Sequence, residues 1–344
     1  MASKKSTLIV RILLFVGTVT SLFFVPWTIL IAWATPLPDT IQSQVDKAAN
    51  YGFDGIIVCV NKANHSDFYT SGYKNRDTKE PANPNSLFKI ASVGKLYTAV
   101  TVAKLVNEGK LSLDKTLAEY FPELKDRIEN SEKITLRMIV QHRSGIPNYT
   151  DTKNYWVHPK QNDQERLELV LDQPANFEPD TNYEYCNTNY LLLARLIENA
   201  IKGSKFSYIK EHILIPLDLH NTYGSINDVN LEDVMSGYYV GYENDLKTDN
   251  NASMLATAED LAKFIRALND GSVFTNTKEQ EIYNSIYKYE HTGLIPGYQT
   301  IAKYHKDIDA VVIQFTNTVN FDGNNWSLSE IMYNRIVKIL SKDS

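Results

Sequence analysis

Residues 88–111 are the stretch that most constrains the fold, because they are nearly uncharged and carry apolar side chains at helical spacing. The apolar positions are Val93, Leu96, Val100, Ala103 and Val106. This pattern predicts a buried helix that ends near Gly109. Lys95 is the only charged residue at positions 90–103. A buried ammonium is costly unless it is paired or its pKa is lowered, so Lys95 needs a specific role.

Ser92 and Lys95 form an S-x-x-K pair at the start of this predicted helix. Residues three apart on a helix lie on one face, which is what a serine nucleophile with a lysine base requires. The pattern alone has little specificity, and the alternative is that the pair is structural. It also occurs at Ser71-Lys74, Ser86-Lys89, Ser112-Lys115, Ser207-Lys210 and Ser285-Lys288. Only the Ser92 copy opens a long, nearly uncharged helix.

The composition is that of an ordinary globular protein, with 344 residues, 43% hydrophobic and 22% charged. A net charge of −6, with no basic cluster beyond the amino terminus, argues against nucleic-acid binding. Cys59 and Cys186 either form one disulfide or stay free, and neither has metal-ligand spacing. The seven histidines form no metal-binding pattern, so we expect no metal and no cofactor.

The amino terminus has the features of a membrane segment. Basic residues precede 23 uncharged residues, 12–34, a length that spans a bilayer. Positive charge on the amino side retains that end in the cytoplasm, so we expect the rest of the chain in the cell envelope, anchored to the cytoplasmic membrane. Ala32-Trp33-Ala34 also resembles a cleavage site, so secretion after cleavage is the alternative. Residues 1–34 are expected to lie outside the folded body at 36–344.

Strand-like runs lie near both ends of the body, and helical patterns lie between them. The runs are at residues 55–60, 67–72, 298–304 and 310–316, with a turn at Asn64 after the first. The helical patterns are at residues 41–50, 135–140, 164–171, 190–200, 206–213, 257–268 and 326–340. We predict an α/β protein of the α+β type, with an antiparallel sheet flanked by helices and a helical domain. The sheet part covers about 40–110 and 252–344, and the helical part about 111–251.

Tyr185 and Asn187 form a Y-x-N pattern just before an apolar helix. A tyrosine beside a lysine ammonium can have its pKa lowered and act as a base. An asparagine amide can donate and accept hydrogen bonds with a substrate amide. The alternative is a tyrosine packed under a loop beside an asparagine helix cap. The same pattern also occurs at Tyr73-Asn75 and Tyr242-Asn244.

His291, Thr292 and Gly293 precede a second turn and an edge-like strand. A glycine in a strand lets the backbone approach a substrate closely. The next amide, Leu294 N–H, is a candidate oxyanion donor, with Ser92 N–H as the second donor. The alternative is an ordinary turn with an exposed histidine.

The order S-x-x-K, Y-x-N, H-T-G resembles the serine beta-lactamase and penicillin-binding protein superfamily. The chain looks closest to its class C beta-lactamase, D-alanyl-D-alanine carboxypeptidase and esterase branch. The likeness covers about residues 40–340, and it includes Gln-His-Arg-Ser-Gly-Ile-Pro at 141–147 and Thr-Ala-Glu-Asp-Leu at 257–261. The family's fold is an antiparallel sheet flanked by helices plus a helical domain, with the site between them.

The resemblance implies a role for each motif residue. Ser92 is the nucleophile, and Lys95 accepts its proton. Tyr185 shares the proton transfer and protonates the leaving group, while Asn187 positions the acyl side chain. His291 takes the place usually held by a lysine, as in carboxypeptidase-like and aminopeptidase-like members.

The chain departs from the family pattern at positions that line or brace the expected cleft. Cys186 stands where serine is commoner, Asp180 and Asn189 stand where glycine is expected, and residues 250–253 replace a glycine-rich stretch. The catalytic groups are intact, so these departures bear on substrate choice and not on the chemistry.

The leading hypothesis is an exported serine hydrolase that works through a Ser92 acyl-enzyme, with D-alanyl peptides as substrate. A beta-lactamase or a small-ester esterase is the nearest alternative. A non-catalytic envelope protein that uses the same fold for binding or sensing is a different class. A peptide, beta-lactam or ester substrate and a monomeric chain are expected.

Overall fold

The computed structural model describes residues 4–63, 65–156, 158–160, 162–249, 251 and 253–342. Residues 1–3 of the amino-terminal segment, the turn residue Asn64, and Asn250 and Ala252 of the altered stretch lie outside the described residues. The helices are α1 Lys4–Leu22, α2 Trp27–Ala34, α3 Ile41–Val45, α4 Gly94–Asn107, α5 Leu117–Tyr120, α6 Leu136–Val140, α7 Asp163–Glu168, α8 Asn187–Ile201, α9 Lys205–Ile209, α10 Ala258–Asp270, α11 Thr277–Asn284 and α12 Asn325–Leu340. The strands are β1 Gly55–Lys62, β2 His65–Asn75, β3 Glu80–Pro81, β4 Phe88–Lys89, β5 Thr222–Tyr223, β6 Tyr238–Tyr239, β7 Leu255–Ala256, β8 His291–Ile295, β9 Tyr298–His305, β10 Ala310–Thr316 and β11 Thr318–Val319.

The main sheet is built from both ends of the body. Its strand order is β3-β2-β1-β10-β9-β8, and its neighbouring strands pair antiparallel. The central pair joins β1 to β10, with Ile56 opposite Thr316 and Lys62 opposite Ala310. The predicted antiparallel sheet flanked by helices is therefore confirmed.

The central strand β1 is apolar on both faces because helices cover both sides of the sheet. Its side chains alternate between the faces, as in any strand. Ile57 and Cys59 pack in the large core that contains α4 and α10, whereas Ile56 and Val58 pack in a second core with α12 and α3. The result is a layered body whose long buried helix, α4, lies on the first face.

Two predicted helices differ in detail from the observed elements. The pattern at residues 41–50 forms α3 and then a separate 3₁₀ turn, Ala48–Tyr51. The pattern at residues 206–213 forms α9, which continues as a π-helical turn, Lys210–Leu214. Apolar periodicity continues through these segments and does not distinguish an α-helix from a 3₁₀ or π turn.

Cys59 and Cys186 are both free and buried, so the structure contains no disulfide between them. Cys59 lies on β1, and Cys186 precedes the first residue of α8. Within the described residues, no group of His, Cys, Asp or Glu side chains has the arrangement of a metal site.

The amino-terminal segment is bent, and its last turn belongs to the body. No single described helix is long and apolar enough to cross a membrane, but α1 and α2 together pass that test, with a 76° bend between them. Pro26 lies at the bend, where its ring prevents a continuous helix. Ala32 is fully buried in the core beside α12. The expectation that residues 1–34 lie outside the folded body is therefore wrong for the end of α2.

Candidate active site

Ser92 lies in a tight turn that delivers the chain from β4 into α4. The turn is a 3₁₀ segment, Ala91–Val93. Ala91 has a φ of 50°, in the left-handed region that residues with a Cβ rarely adopt. A hydrogen bond from Ala91 N–H to Ser253 Oγ at 2.8 Å holds this conformation. Backbone strain of this kind is common at functional sites, where the surrounding structure compensates for it.

Lys95 follows one helical turn after Ser92 and points toward it. Its Nζ lies 3.1 Å from Ser92 Oγ and donates to Asn187 Oδ1 at 2.8 Å. It also lies 4.9 Å from the centre of the Tyr185 ring and 5.3 Å from that of Tyr190. Burial lowers the pKa of Lys95 from 10.5 to about 7, because the charged amine loses its hydration. The amine is thus partly neutral at neutral pH and can accept a proton.

Tyr185 is the second side chain in contact with the Ser92 hydroxyl. Its hydroxyl donates to Ser92 Oγ at 2.6 Å. Burial raises the pKa of Tyr185 to about 12, and the hydrogen bond from its hydroxyl to Ser92 lowers it only in part. The expectation that the lysine lowers the tyrosine pKa is wrong, because desolvation of the buried phenol dominates. Tyr185 is therefore a proton donor in this geometry.

Asn187 is the first residue of α8 and connects Lys95 to the helical part. Its Oδ1 accepts from Lys95, and its Nδ2 donates to Thr150 Oγ1 at 3.1 Å. Its backbone N–H donates to Asn148 Oδ1 at 2.9 Å. The side chain is not the helix cap, since Cys186 holds that position. Asn187 lines the cleft, where it orients the lysine amine and presents its amide to a substrate.

His291 is a buried residue of strand β8, and it is not an exposed turn residue. Its side chain is only 4% exposed, and its Nε2 lies 3.0 Å from the Tyr287 hydroxyl. Burial, with a smaller effect from the Lys288 and Lys95 charges, lowers the pKa of His291 well below 6.5. His291 is therefore neutral at pH 7 and does not supply the positive charge of a lysine at this position.

Gly293 allows β8 to lie directly against the turn that carries Ser92. A Cβ at this position would be 2.4 Å from Ile90 O and 3.1 Å from the Ala91 Cβ. Only glycine fits without a backbone shift. Thr292 and Leu294 line the same cleft as Ser92. This packing places the Leu294 amide on the strand that borders Ser92, which is compatible with the predicted role of that amide as an oxyanion donor.

His142 supports Tyr185. The sequence predicts no individual role for it, only its membership of the segment 141–147. Its Nδ1 accepts from Cys186 N–H at 3.1 Å, and its ring centre lies 4.6 Å from that of Tyr185. Its backbone has a φ of 59°, and its carbonyl accepts from Glu184 N–H. Burial lowers the pKa of His142 to about 3, so it is a neutral brace. The likeness of segment 141–147 to the family is the sequence feature that could have identified this histidine as part of the site.

The cleft around Ser92 has a volume of about 520 Å³ and is rich in cations. Arg166 is ion-paired with Asp163 at 2.7 Å. Lys205 and Lys288 also line the cleft, and neither forms an ion pair with any described residue. Asp163 is the only carboxylate among the described lining residues. The cleft therefore favours an anionic ligand.

The altered positions have structural explanations. Asp180 has a φ of 67°, a conformation suited to glycine, and Arg143 bonds its side chain at 2.5 Å. Asn189 is buried and accepts from Ser144 Oγ at 2.8 Å. Asn251 and Ser253 line the cleft, so the replaced stretch borders the substrate space.

The other S-x-x-K pairs do not form comparable sites. Among the described residues, none of the five other lysines hydrogen-bonds its serine. Ser86 and Lys89 are the pair most similar to Ser92 and Lys95 in burial, since both side chains are buried. Lys89 Nζ instead donates to the carbonyls of Leu246 at 2.8 Å and Asp249 at 2.7 Å.

The fold and this Ser-Lys-Tyr geometry are those of a serine hydrolase of the beta-lactamase type. A family model described as Beta-lactamase matches residues 38–287, which is more than half of the chain. The chain therefore belongs to the beta-lactamase family, within the superfamily of serine beta-lactamases and penicillin-binding proteins. The matched residues contain the first two motifs and end before His291.

Individual relatives are distant. Protein flp of Staphylococcus aureus strain MW2 is 28% identical over 57% of this chain and 41% of its own length. Penicillin-binding protein 4* of Bacillus subtilis strain 168 is 23% identical over 77% of this chain and 68% of its own length. The chain spans about half or less of the length of the first of these curated relatives. The structure of D-amino acid amidase from Ochrobactrum anthropi SV3, with L-phenylalanine amide, has a TM-score of 0.76 at 21% identity, over 88% of this chain and 98% of that one.

Proposed function

We propose that this chain is an exported serine hydrolase that forms an acyl-enzyme on Ser92, and that its substrates are D-alanyl peptides of the D-alanyl-D-alanine type. The observation that carries the proposal is the position of Ser92 Oγ, which lies 3.1 Å from Lys95 Nζ and 2.6 Å from the Tyr185 hydroxyl. A nucleophile held between a base and a proton donor is the arrangement that acyl transfer needs.

Acylation begins when the neutral amine of Lys95 takes the hydroxyl proton of Ser92. Ser92 Oγ then attacks the substrate carbonyl carbon, and the carbonyl electrons move to its oxygen. The N–H groups of Ser92 and Leu294 donate to that oxyanion. When the C–N bond breaks, the leaving amine takes a proton from Tyr185, which recovers one from Lys95. Hydrolysis of the ester follows in reverse, with water in place of the amine.

The two proton-handling groups have pKa values that suit opposite tasks. Lys95, with a pKa of about 7, can exist as the free base at neutral pH. Tyr185, with a pKa of about 12, keeps its proton until a more basic leaving group needs it. This division supports a base at position 95 and a proton donor at position 185.

The charge of the cleft supports a substrate with a free carboxylate. His291 is neutral, so the positive charge that such a group needs must come from elsewhere in the cleft. Lys288 lines the cleft, precedes β8 and has no ion-pair partner among the described residues. We assign it to the carboxylate of the D-alanyl peptide. The names of a penicillin-binding relative and of a D-amino acid amidase with this fold agree with amide hydrolysis at a D-residue.

The body is proposed to lie outside the cytoplasm. The basic amino end and the apolar residues 12–34 support insertion in the cytoplasmic membrane, with the cleft on the far side. Release after cleavage at Ala34 is the alternative. The catalytic elements of the proposed reaction come from one chain, so the proposal requires only a monomer.

The test uses full-length protein and a fluorophosphonate probe, which acylates activated serines without needing a peptide-shaped cleft. One adduct is expected, on the peptide that contains Ser92. Ser92→Ala should abolish labelling and hydrolysis, whereas Ser285→Ala, a matched change in an exposed S-x-x-K pair, should leave both unchanged. Labelling of Ser92→Ala at the wild-type rate would refute the site.

Substrate class is decided by comparing three compounds with the same enzyme: a D-alanyl-D-alanine peptide, a penicillin-type reporter and a short-chain nitrophenyl ester. The peptide should give the highest kcat/KM, and amidation of its carboxylate should lower kcat/KM. Preferential turnover of the ester or the reporter would instead favour an esterase or a beta-lactamase. Binding of the peptide without turnover and without fluorophosphonate labelling would favour a sensing protein.

A further inference from the structure

We propose that α2 lies flat on the outer surface of the cytoplasmic membrane and is clamped to the catalytic body by Arg335, so that the body rests on the lipid at a fixed orientation. The inference rests on the proposed membrane location of the amino-terminal segment, and it does not depend on the hydrolase chemistry.

Arg335 is a buried hub at the junction of the segment and the body. Arg335 is 6% exposed. Its guanidinium donates to three backbone carbonyls at and just beyond the end of α2. Nη1 donates to Thr35 O at 2.7 Å and Ala32 O at 3.3 Å, and Nη2 donates to Pro36 O at 2.8 Å. Nε donates to Gln44 Oε1 at 2.8 Å. A guanidinium at a helix carboxyl end satisfies free carbonyls and complements the helix dipole.

The two sides of α2 have different surroundings. Ala32 is fully buried, and Ile29 packs against the same core beside α12. The rest of the helix surface is apolar but unpaired with protein. The exposed large side chains of α2 are Trp27, Leu30, Ile31 and Trp33. Ile29 and Ala32 are thus fixed to the body, and both tryptophans and the remaining aliphatic side chains of α2 are exposed around the rest of the helix.

The bend between α1 and α2 fits a turn at a membrane surface. α1 has 19 residues, about 28 Å at about 1.5 Å per residue, but Lys4, Lys5 and Arg11 lie within it, and it passes the test for a membrane span only together with α2. If α1 enters the bilayer along its normal, the 76° bend turns α2 toward the membrane plane. Trp27 Nε1 donates to Leu22 O across the break at 2.9 Å, which helps to fix the angle. Tryptophans are the side chains most favoured at the lipid–water boundary.

Lipid fits this surface better than a second copy of the chain does. The apolar exposure continues from α2 through the break, where Phe23 and Phe24 are each 82% exposed, and along α1. A basic amino end then follows on the far side, as in an inserted segment. The junction also argues against release, because cleavage after Ala34 would create a charged amine on Thr35, whose carbonyl accepts from the Arg335 guanidinium.

The same helix that carries Arg335 also reaches the cleft. Trp326, in the first turn of α12, lines the cleft around Ser92. Nine residues separate Trp326 from Arg335, which is about 14 Å along a helix. The clamp therefore fixes the height of the cleft above the membrane through one rigid element.

The test measures the depth of two tryptophans in lipid. The chain has four tryptophans, and Trp156 and Trp326 line the cleft. Full-length variants that retain only Trp27 or only Trp33, with Phe at the other three positions, are placed in vesicles of phospholipids brominated at successive depths. A melting curve followed by circular dichroism checks that each variant is folded. Six residues separate the two tryptophans, which is about 9 Å along α2.

A flat α2 predicts that both tryptophans are quenched most by shallow bromines, with a difference in depth well below the roughly 9 Å expected for a helix along the bilayer normal. A difference near 9 Å would overturn the flat orientation while keeping the membrane location. Absence of quenching at both positions would overturn the membrane location as well, and a dimer that buries both tryptophans would be its explanation. Neither result bears on Ser92 labelling, so failure here is separable from failure of the hydrolase proposal.

The clamp is tested by Arg335→Lys, which keeps the charge but loses the planar fork that reaches several carbonyls. Proteinase K should cut the 35–39 linker about tenfold faster in this variant, because local opening there costs less free energy. Lys338→Gln, an exposed change on the same helix, is the matched control and should cut at the wild-type rate. Equal rates for Arg335→Lys and wild type would overturn the clamp.

Discussion

The pH dependence of catalysis tests the role of Lys95 most directly. Its pKa of about 7 means that about half of the enzyme carries a neutral amine at pH 7 and only about one molecule in a hundred at pH 5. If the neutral amine is the base, kcat/KM should rise about 100-fold from pH 5 to pH 8 and then level off. With an ordinary pKa of 10.5, kcat/KM would instead rise about 100-fold from pH 7 to pH 9.

The assay measures kcat/KM for a neutral nitrophenyl ester from pH 5 to pH 9, corrected for spontaneous hydrolysis. The two histidines of the site do not titrate in this window: burial lowers the pKa of His142 to about 3, and that of His291 lies well below 6.5. The pKa values of the cleft lysines Lys205 and Lys288 are also lowered by burial, and a neutral ester is used because it does not need their charge for binding. Tyr185, with a pKa of about 12, also keeps its proton throughout. A single rising limb therefore reports on Lys95.

Lys95→Arg provides the matching variant, because an arginine keeps the charge and cannot deprotonate in this range. Its kcat/KM should be about 10² to 10⁴ lower than wild type, and the limb near pH 7 should disappear. Lys210→Arg, at an exposed lysine of another S-x-x-K pair, should behave as wild type. A Lys95→Arg enzyme with wild-type turnover and an unchanged limb would refute the assignment.

Protein stability gives an independent reading of the same pKa. The folded-state pKa of Lys95 lies below its unfolded value, so the unfolded chain binds the proton more tightly between about pH 7 and 10.5. This group therefore destabilises the fold most below pH 7, and the penalty fades as pH rises toward 10.5. Lys95→Met should be more stable than wild type at pH 7, with a difference that shrinks toward pH 10. A difference that grows with pH would contradict the burial argument.

Two further predictions concern packing. Gly293→Ala places a Cβ 2.4 Å from a backbone carbonyl, so β8 should shift. We expect kcat to fall about 10²-fold with little loss of Tm. Gly203→Ala is the control, because no atom lies nearer than 3.9 Å to the added Cβ, and it should change neither kcat nor Tm. Glu279→Ala leaves the buried Lys104 ammonium without its ion-pair partner, so the free energy of unfolding measured in urea should fall by about 3–5 kcal/mol. Glu132→Ala removes an exposed ion pair and should cost less than about 1 kcal/mol. Similar losses for both variants would contradict the argument.

The sequence predicts the sheet because strand periodicity is a local property. The alternation of β9 and β10 and the apolar run of β1 are visible residue by residue, and their positions at the two chain ends imply pairing between them. The strand order, with β1 beside β10, depends on contacts across more than 200 residues, and no local pattern encodes it.

The active site shows what spacing can and cannot decide. Lys89 is buried and Lys95 half-buried, each three residues after a serine, and burial lowers the pKa of Lys89 to about 8 and that of Lys95 to about 7. The difference is the local conformation. Lys95 is on a helix, where positions three apart share a face, whereas Lys89 ends a strand, where they lie on opposite faces. An arginine at position 89 should therefore disturb packing, contrary to a prediction from spacing alone that Lys89 tolerates this change.

Other properties of the site residues depend on how deeply a side chain is buried and on what it contacts, which the residue type alone does not show. The direction of the Tyr185 pKa was mispredicted because sequence shows a neighbouring lysine but not the desolvation of the tyrosine itself. The histidine at 291 was expected to be either a lysine substitute or exposed, and it is buried and neutral. The junction at Arg335 had no signal, because its partners are backbone carbonyls some 300 residues away.

The basicity of Lys95 is set by exclusion of water and not by repulsion from another cation. Burial is the cause that lowers its pKa, and the one opposing influence resolved is a charge interaction with Cys186 that raises it slightly. A neutral His291 fits this arrangement, since a lysine there would add a second cation beside the base. The rings of Tyr185 and Tyr190, which enclose the amine, therefore serve the chemistry by keeping the site dry. In the proposed reaction, the charge that holds an anionic substrate comes from cleft residues such as Lys288, which take no part in proton transfer.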